Sequence, residues 1–279
     1  MNIVFRAVFA LSLTVCAFAQ TATLNGVITD TTAGVIPDVR VSITNIDTGL
    51  RHEAQTSGTG AFSFTLLPVG RYKVEANKAG FGVQTRPSIK LDVDQVARLD
   101  FILKPGSLME TVEVSASAAL IDSETSTVGQ VISNKSIVEM PLNGRNYLNL
   151  ATLTAGTSPS VGGRTAAEGG FVTGGQHGYQ MNVQVDGLDN NTVYSGGPIG
   201  FEAQSVKPSI DAIGEFKVVT NNISAEYGGR MGGAVIVSIK SGTNERHGSL
   251  FEFLRNEKLD GTNFFANRSG AAKPTYRQN

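Results

Sequence analysis

The feature that most constrains this chain is a two-residue alternation that recurs from Thr23 to Leu103. Val39, Val41 and Ile43 alternate with Arg40, Ser42 and Thr44. Phe62, Phe64 and Leu66 alternate with Ser63 and Thr65, and Tyr72, Val74 and Ala76 with Lys73, Glu75 and Asn77. Ala97, Leu99, Phe101 and Leu103 close the series. A strand turns successive side chains to opposite faces, so each run has one apolar and one mostly wettable face. Turn residues separate the runs: Ala33-Gly34, Asp47-Thr48-Gly49, Ser57-Gly58-Thr59-Gly60, Pro68-Val69-Gly70 and Ala79-Gly80. About seven short strands in roughly 80 residues predict a small antiparallel β-sandwich, its two sheets burying their apolar faces against each other.

Composition removes several function classes. Glycine, at 32 of 279 residues, stands well above the average of about 7% and argues against a helical array. The 23 basic and 24 acidic residues leave a net charge of −1, so no sequence-wide attraction for phosphate exists and no nucleic-acid partner is expected. Cys16 is the only cysteine, which excludes a disulfide within the chain and a cysteine-based metal site. His52, His177 and His247 lie in different segments, and neither HExxH nor GxSxG occurs. Asp47, His52 and Glu53 have no ligand spacing and read as surface residues. No catalytic, cofactor-binding or metal residue is assigned, and the chain is not expected to be an enzyme.

Residues 1–19 read as an export leader. Arg6 is their only charge, Val8 to Phe18 is almost wholly apolar, and Ala17 and Ala19 place small residues at −3 and −1 of a cut before Gln20. The apolar run is too short for a permanent membrane helix.

Lys104-Pro105-Gly106-Ser107 breaks the strand pattern and marks a linker. Beyond it, Thr111, Glu113 and Ser115 alternate with Val112 and Val114. Spacing alone leaves two readings open: an ordinary edge strand or linker, or a strand that pairs with another protein's sheet edge. From Thr127 the style changes. Val128 to Val131 is strand-like, and Ser133-Asn134 offers a cap for a helix over Lys135–Met140, which Pro141 stops. Asn143–Leu153 reads as helical, with Tyr147, Leu150 and Leu153 on one face. Residues 156–178 form a glycine- and serine-rich loop. Strands return at Met181–Gly187, Glu215–Thr220 and Ala234–Lys240, with a helical turn at Ser209–Ile213. This mixture predicts a compact α+β unit. Its glycine pairs form neither GxxxxGK[ST] nor GxGxxG, so a phosphate loop is not expected. Asp186–Asn191 lacks the ligand pattern of a calcium loop and reads as an Asx-turn.

Two sets of residues carry family resemblances. Leu24–Asp30, Gly34–Val41 and Leu67–Val74 resemble the carboxypeptidase regulatory-like domain over roughly residues 22–105. That resemblance implies a transthyretin-like sandwich with no catalytic centre. Pro141–Tyr147, Val185–Asn190, Ala212–Val218, Ser224–Gly229 and Lys240–Asn244 occur in the order found in TonB-dependent outer-membrane receptors, most similar to the Oar-like branch. On that resemblance the expected fold is mainly β. A signal peptide spans 1–19, a sandwich 20–105, a linker with a TonB-box-like segment 106–116, an α+β plug domain 117–243 and the start of a β-barrel 244–279. Glu110, Thr111, Val112, Glu113 and Val114 would bind a TonB-like periplasmic energy-coupling protein. The plug would gate uptake of an unknown ligand through an outer-membrane barrel after export by the Sec pathway, with sandwich and plug facing periplasm and lumen.

His247–Asn256 reads as a first barrel strand with imperfect alternation, and Phe264, Phe265 and Tyr276 suit an interfacial girdle. Only 37 residues follow Gly242, whereas a transport barrel needs about 22 strands of about 10 residues. The chain is therefore expected to be a fragment or a truncated product that transports nothing alone. The competing expectation is a secreted or surface-attached non-catalytic binding protein whose sandwich contacts carbohydrate or protein. Low aromatic content (7%, no Trp) weighs against a sugar-stacking platform.

Overall fold

The computed structural model describes residues 21–106, 112–113, 124–140, 142, 145–159, 171–175, 180–191, 204–227, 230, 232–246, 248, 250, 252, 255–259, 261–262, 264–270 and 277–278. They divide into two compact units, one ending at Asn244 and one beginning at Glu245. The fold is mainly β.

The first unit opens with two facing sheets. The strands are β1 (Thr21–Asp30), β2 (Arg40–Asn45), β3 (Arg51–Gln55), β4 (Ala61–Pro68), β5 (Gly70–Asn77), β6 (Gln84–Leu91), β7 (Val96–Arg98), β8 (Phe101–Leu103) and β9 (Val112–Glu113). One sheet runs β4-β1-β7, with β8 also on β1; the other runs β3-β2-β5-β6-β9. The alternation predicted for Val39–Ile43, Tyr72–Ala76 and Ala97–Leu103 places every one of its apolar residues in the core. The run over β4 departs from expectation. Leu66 is 55% exposed and Leu67 is 1% exposed. A register irregularity opposite Ala22 and Leu24 and a left-handed Leu66 (φ 58°) flip the side chains by one position, as a bulge does.

Strand β1 is the spine of this half. It pairs antiparallel with β4, parallel with β7 over Thr23–Asn25 and parallel with β8 over Ile28–Asp30. Gly26 sits where the partner changes. A Cβ there would lie 2.0 Å from the Leu99 carbonyl oxygen and 2.6 Å from the Phe62 ring. Tyr72 is buried and donates its hydroxyl to the Pro68 carbonyl at 2.6 Å. Pro87 lies in β6 at a register irregularity between β5 and β6, where a residue without an N–H is tolerated.

The rest of the first unit is built on β10 (Val128–Ser133), β11 (Thr157–Pro159), β12 (Phe171–Thr173), β13 (Asn182–Val185), β14 (Leu188–Asp189), β15 (Ile213–Asn221) and β16 (Ala234–Ile239). The five-stranded sheet runs β10-β15-β16-β13-β14. Its central pair β15–β16 is antiparallel, and β13 joins β16 in parallel. Phe216, Val218, Val235 and Val237 face a core shared with helix α1 (Asn134–Glu139) and a 3₁₀ helix, Tyr147–Leu153. Val219, Ala234 and Ile236 are buried on the opposite face. Burial on both faces explains the near-continuous apolar run of β16.

The local capping and turn residues behave unevenly. Ser133 occupies the cap position of α1, but its hydroxyl caps nothing and meets Ser136 Oγ at 3.4 Å. Asn146 does cap the 3₁₀ helix, accepting from the Leu148 N–H at 3.0 Å. Tyr147 and Leu150 are buried as predicted, whereas Leu153 is 61% exposed because the apolar face ends a turn earlier. The Asp186-Gly187 pair is a two-residue hairpin between β13 and β14, both residues at positive φ (48° and 77°), as a type I′ turn requires. The Asx-turn predicted in that stretch forms at its end, where Asp189 Oδ1 accepts from the Asn191 N–H at 2.8 Å. Within the stretch read as a glycine- and serine-rich loop, Thr157–Pro159 and Phe171–Thr173 pair as a small two-stranded sheet, β11–β12; residues 160–170 and 176–178 lie outside the described residues.

In the second unit, β17 (Arg255–Asn256) pairs antiparallel with β18 (Arg277–Gln278), and helix α2 spans Phe264–Arg268. Phe264 and Phe265 are exposed, with their rings edge-to-face at 5.4 Å. Tyr276, His247, Phe251, Phe253 and Leu254, all from the predicted first barrel strand and girdle, lie outside the described residues.

Two outcomes follow from this packing. Gly26→Ala has no space for its methyl group and is expected to cost about 3 kcal/mol, read as a lower urea midpoint. Asn146→Ala removes a buried cap and should cost about 1–2 kcal/mol by the same measurement.

Candidate functional site

The predicted partner-binding segment is seen only in part. Val112 and Glu113 form β9, which adds in parallel to β6 through the pairs Gln84↔Val112 and Thr85↔Glu113, at the edge of the five-stranded sandwich sheet. Glu110, Thr111 and Val114 lie outside the described residues. The segment's surroundings are anchored on both sides. Before it, the Gly106 N–H donates to Gly80 at 3.3 Å and Phe81 bridges Pro105. After it, Glu124 pairs with Arg98 of β7 at 3.2 Å, and Asn222 donates to the Ser126 carbonyl at 3.1 Å.

Beside those anchors the sandwich meets the outer face of β15–β16. The strand order turns Glu215, Lys217 and Val219 to one face. The end of β6 presents Lys90 to them, and the β6–β7 loop presents Asp92, Val93 and Asp94. Glu215 Oε2 is 3.0 Å from Lys90 Nζ, and Glu215 Oε1 accepts from the Val93 N–H at 2.6 Å. Lys217 Nζ reaches Asp94 Oδ2 at 3.0 Å and the Asp94 carbonyl at 2.9 Å. The Tyr227 hydroxyl donates to Asp94 Oδ1. Val93, Val219, Ala234 and Ile236 form a small buried cluster beneath, with Val69, Ile223 and Tyr227 at its margin.

Burial pushes the Glu215 carboxyl above its ordinary value. The Lys90 ammonium opposes that shift, while the Asp92 charge adds to it. Burial also raises the Tyr227 phenol far above its usual range, with Asp94 reinforcing it. Sequence reasoning missed this seam. The available signal was a pair of opposite charges, Glu215 and Lys217, inside an otherwise apolar strand; a strand covered on both faces needs partners for such charges.

The quoted motifs meet around the same sheet. Arg145 pairs with Asp211, and Tyr147 packs edge-to-face on Phe216 at 5.5 Å. The Tyr147 hydroxyl donates to Gln204 Oε1, which also accepts from Asn190 Nδ2 at 3.2 Å. Asn182 Nδ2 donates to the Tyr227 carbonyl at 2.9 Å, and Asp186 Oδ1 accepts from the Ile239 N–H at 3.0 Å. The contacts are structural and bring no nucleophile to a base. Among the described residues, no three His, Cys, Asp or Glu groups are placed to hold a metal ion. His52 is exposed on β3, Glu53 pairs with Arg51, and Asp47 pairs with Arg71. No described helix is long and apolar enough to cross a membrane, which says nothing of a β-barrel.

Comparison with known proteins gives this architecture a family context. The carboxypeptidase regulatory-like domain matches residues 23–104, and an outer membrane beta barrel domain matches residues 238–279. The TonB-dependent transporter Oar of Myxococcus xanthus is 26% identical over 260 residues, covering 88% of this chain. The chain is similar to part of a TonB-dependent receptor. It spans 23% of that transporter's length. Among solved structures, the Bacillus anthracis TIE protein is 19% identical over 30% of this chain and 16% of its own, with a TM-score of 0.26. Catechol 1,2-dioxygenase of Acinetobacter radioresistens is 11% identical over 36% of this chain and 57% of its own, with a TM-score of 0.28. Likeness at that level carries no argument about this receptor-like chain.

The Glu215 shift has a pH consequence. An acid whose folded-state value is raised binds its proton more readily in the folded chain than in the unfolded one. Its contribution is therefore present below the ordinary value of 4.5 and is lost as pH rises through the raised value. Glu215→Gln removes that loss. The urea midpoint of Glu215→Gln minus that of the wild type should grow as pH is raised from about 4 to about 8.

Proposed function

We propose that this chain is the sandwich and plug region of a TonB-dependent outer-membrane receptor, gating energy-coupled uptake of an unidentified ligand. One observation carries the reading: the sandwich domain and the barrel domain match in order at the two ends of a chain similar to Oar over 88% of its length. The α+β sheet between them occupies the plug position. On this reading, residues 1–19 are a leader for Sec export, sandwich and plug face periplasm and lumen, and the barrel walls lie beyond the described strands. Glu110–Val114 is the segment gripped by a TonB-like periplasmic protein.

The physical role of each part is mechanical. Main-chain hydrogen bonds between the segment and an incoming strand supply affinity that depends little on side-chain identity. Tension then remodels the plug to open a path. No proton transfer or nucleophile is required, so the reading makes the chain a non-enzyme.

The test is binding of the full chain to a TonB-type C-terminal domain by calorimetry. Val112→Pro removes a main-chain donor and should weaken binding at least about tenfold, and a peptide spanning 108–116 should compete. Equal affinity for wild type and variant sinks the coupling role of the segment.

A further inference from the structure

Two folded bodies meet at the contact between the sandwich loop and β15–β16, and the contact differs in kind from either core. Among the described residues, nineteen buried apolar residues form the sandwich core and fifteen form the core beneath β15–β16. The contact between them buries four. Val69, Ile223 and Tyr227 line its margin, and the rest is polar: Glu215 against Lys90 and the Val93 N–H, Lys217 and Tyr227 against Asp94, and Asn244 against the Asp47 and Thr48 carbonyls. Apolar burial scales with area, so the contact holds a small share of the hydrophobic stabilisation. Buried ion pairs return little beyond the desolvation they cost, although removing one partner is expensive. The contact is therefore weaker in apolar burial than either core, and its charges make it sensitive to single substitutions.

Its covalent bridge has a matching layout. After Gly106, which is tied to Gly80, the chain adds β9 to β6, and it is held again at Glu124 and Ser126, tied to Arg98 and Asn222. Arg98 belongs to the sandwich and Asn222 directly follows β15, so the returning chain is pinned to both sides of the same contact.

We propose that this contact is a releasable latch: the sandwich lifts off the outer face of β15–β16 as a folded body while the sheet beneath it stays folded. Asp94 is the keystone, because it satisfies Lys217 and Tyr227 together. A pull on residues 110–114 would act on the short β6–β9 pairing and then on this plane. That last step rests on the proposed coupling role, whereas the latch itself does not.

The test uses spin labels on exposed Thr31→Cys and Lys135→Cys in the full chain with Cys16→Ser, read by pulsed electron spin resonance. The unaltered latch should give one narrow distance. Asp94→Asn keeps a residue that tolerates the left-handed backbone there (φ 55°) and leaves Lys217 without its carboxylate. It should raise the separated population about a hundredfold. Adding Lys217→Met should return that population to within about threefold of the starting value, because both charges are then gone. Amide exchange in β5 and β16 should stay protected throughout. A broad distance distribution before any latch substitution overturns the proposal, as does one unchanged by Asp94→Asn. Loss of protection in β5 or β16 in step with separation also overturns it, since the bodies would then unfold rather than part. Because no coupling protein enters the assay, a failed coupling role leaves these outcomes intact.

Discussion

Strands β15 and β16 are buried on both faces, and that constraint organises the first unit. One face supplies Phe216, Val218, Val235 and Val237 to the core under α1 and the 3₁₀ helix. The other places Glu215 and Lys217 where water is largely excluded, 3% and 5% exposed. Two opposite charges in that setting demand partners. The sandwich provides them from one short stretch, Lys90 at the end of β6 to Asp94 in the loop after it. The sandwich is thus held at a defined place by charge and hydrogen-bond geometry more than by apolar area.

The sandwich was largely legible in the sequence because period-two alternation is a local signal and its strands are buried on one face. It failed where geometry overrode the period: at Leu66, a bulge exchanged the inward and outward positions. The Asp186-Gly187 pair was readable as a turn, but the hairpin it makes depends on β14, whose two residues carry too little pattern to detect. In β16 the run Ala-Val-Ile-Val identified a strand without revealing what covers its second face. The seam between sandwich and sheet was not legible. Partners such as Lys90 and Glu215 lie 125 residues apart, and no spacing rule connects them.

The two bodies are stabilised in different ways. The sandwich depends on interlocked apolar rings, with Phe62 close to both Phe64 and Phe101, and on a glycine at the crossing point of three strands. The sheet beneath it adds a polar lattice of Tyr147, Gln204 and Asn190 that fixes the neighbouring chain by hydrogen bonds. Apolar packing tolerates changes in ionic conditions; a buried polar lattice is sensitive to losing any one member.

Pro87 has a further consequence. Strand β6 offers a ladder to a parallel neighbour at Gln84 and Thr85, and two residues later it reaches Pro87, whose backbone nitrogen has no hydrogen to give. A foreign strand recruited there meets an interruption before it can pair at length. The same residue that accommodates an irregularity within the sandwich thereby acts as a guard against runaway sheet growth between molecules.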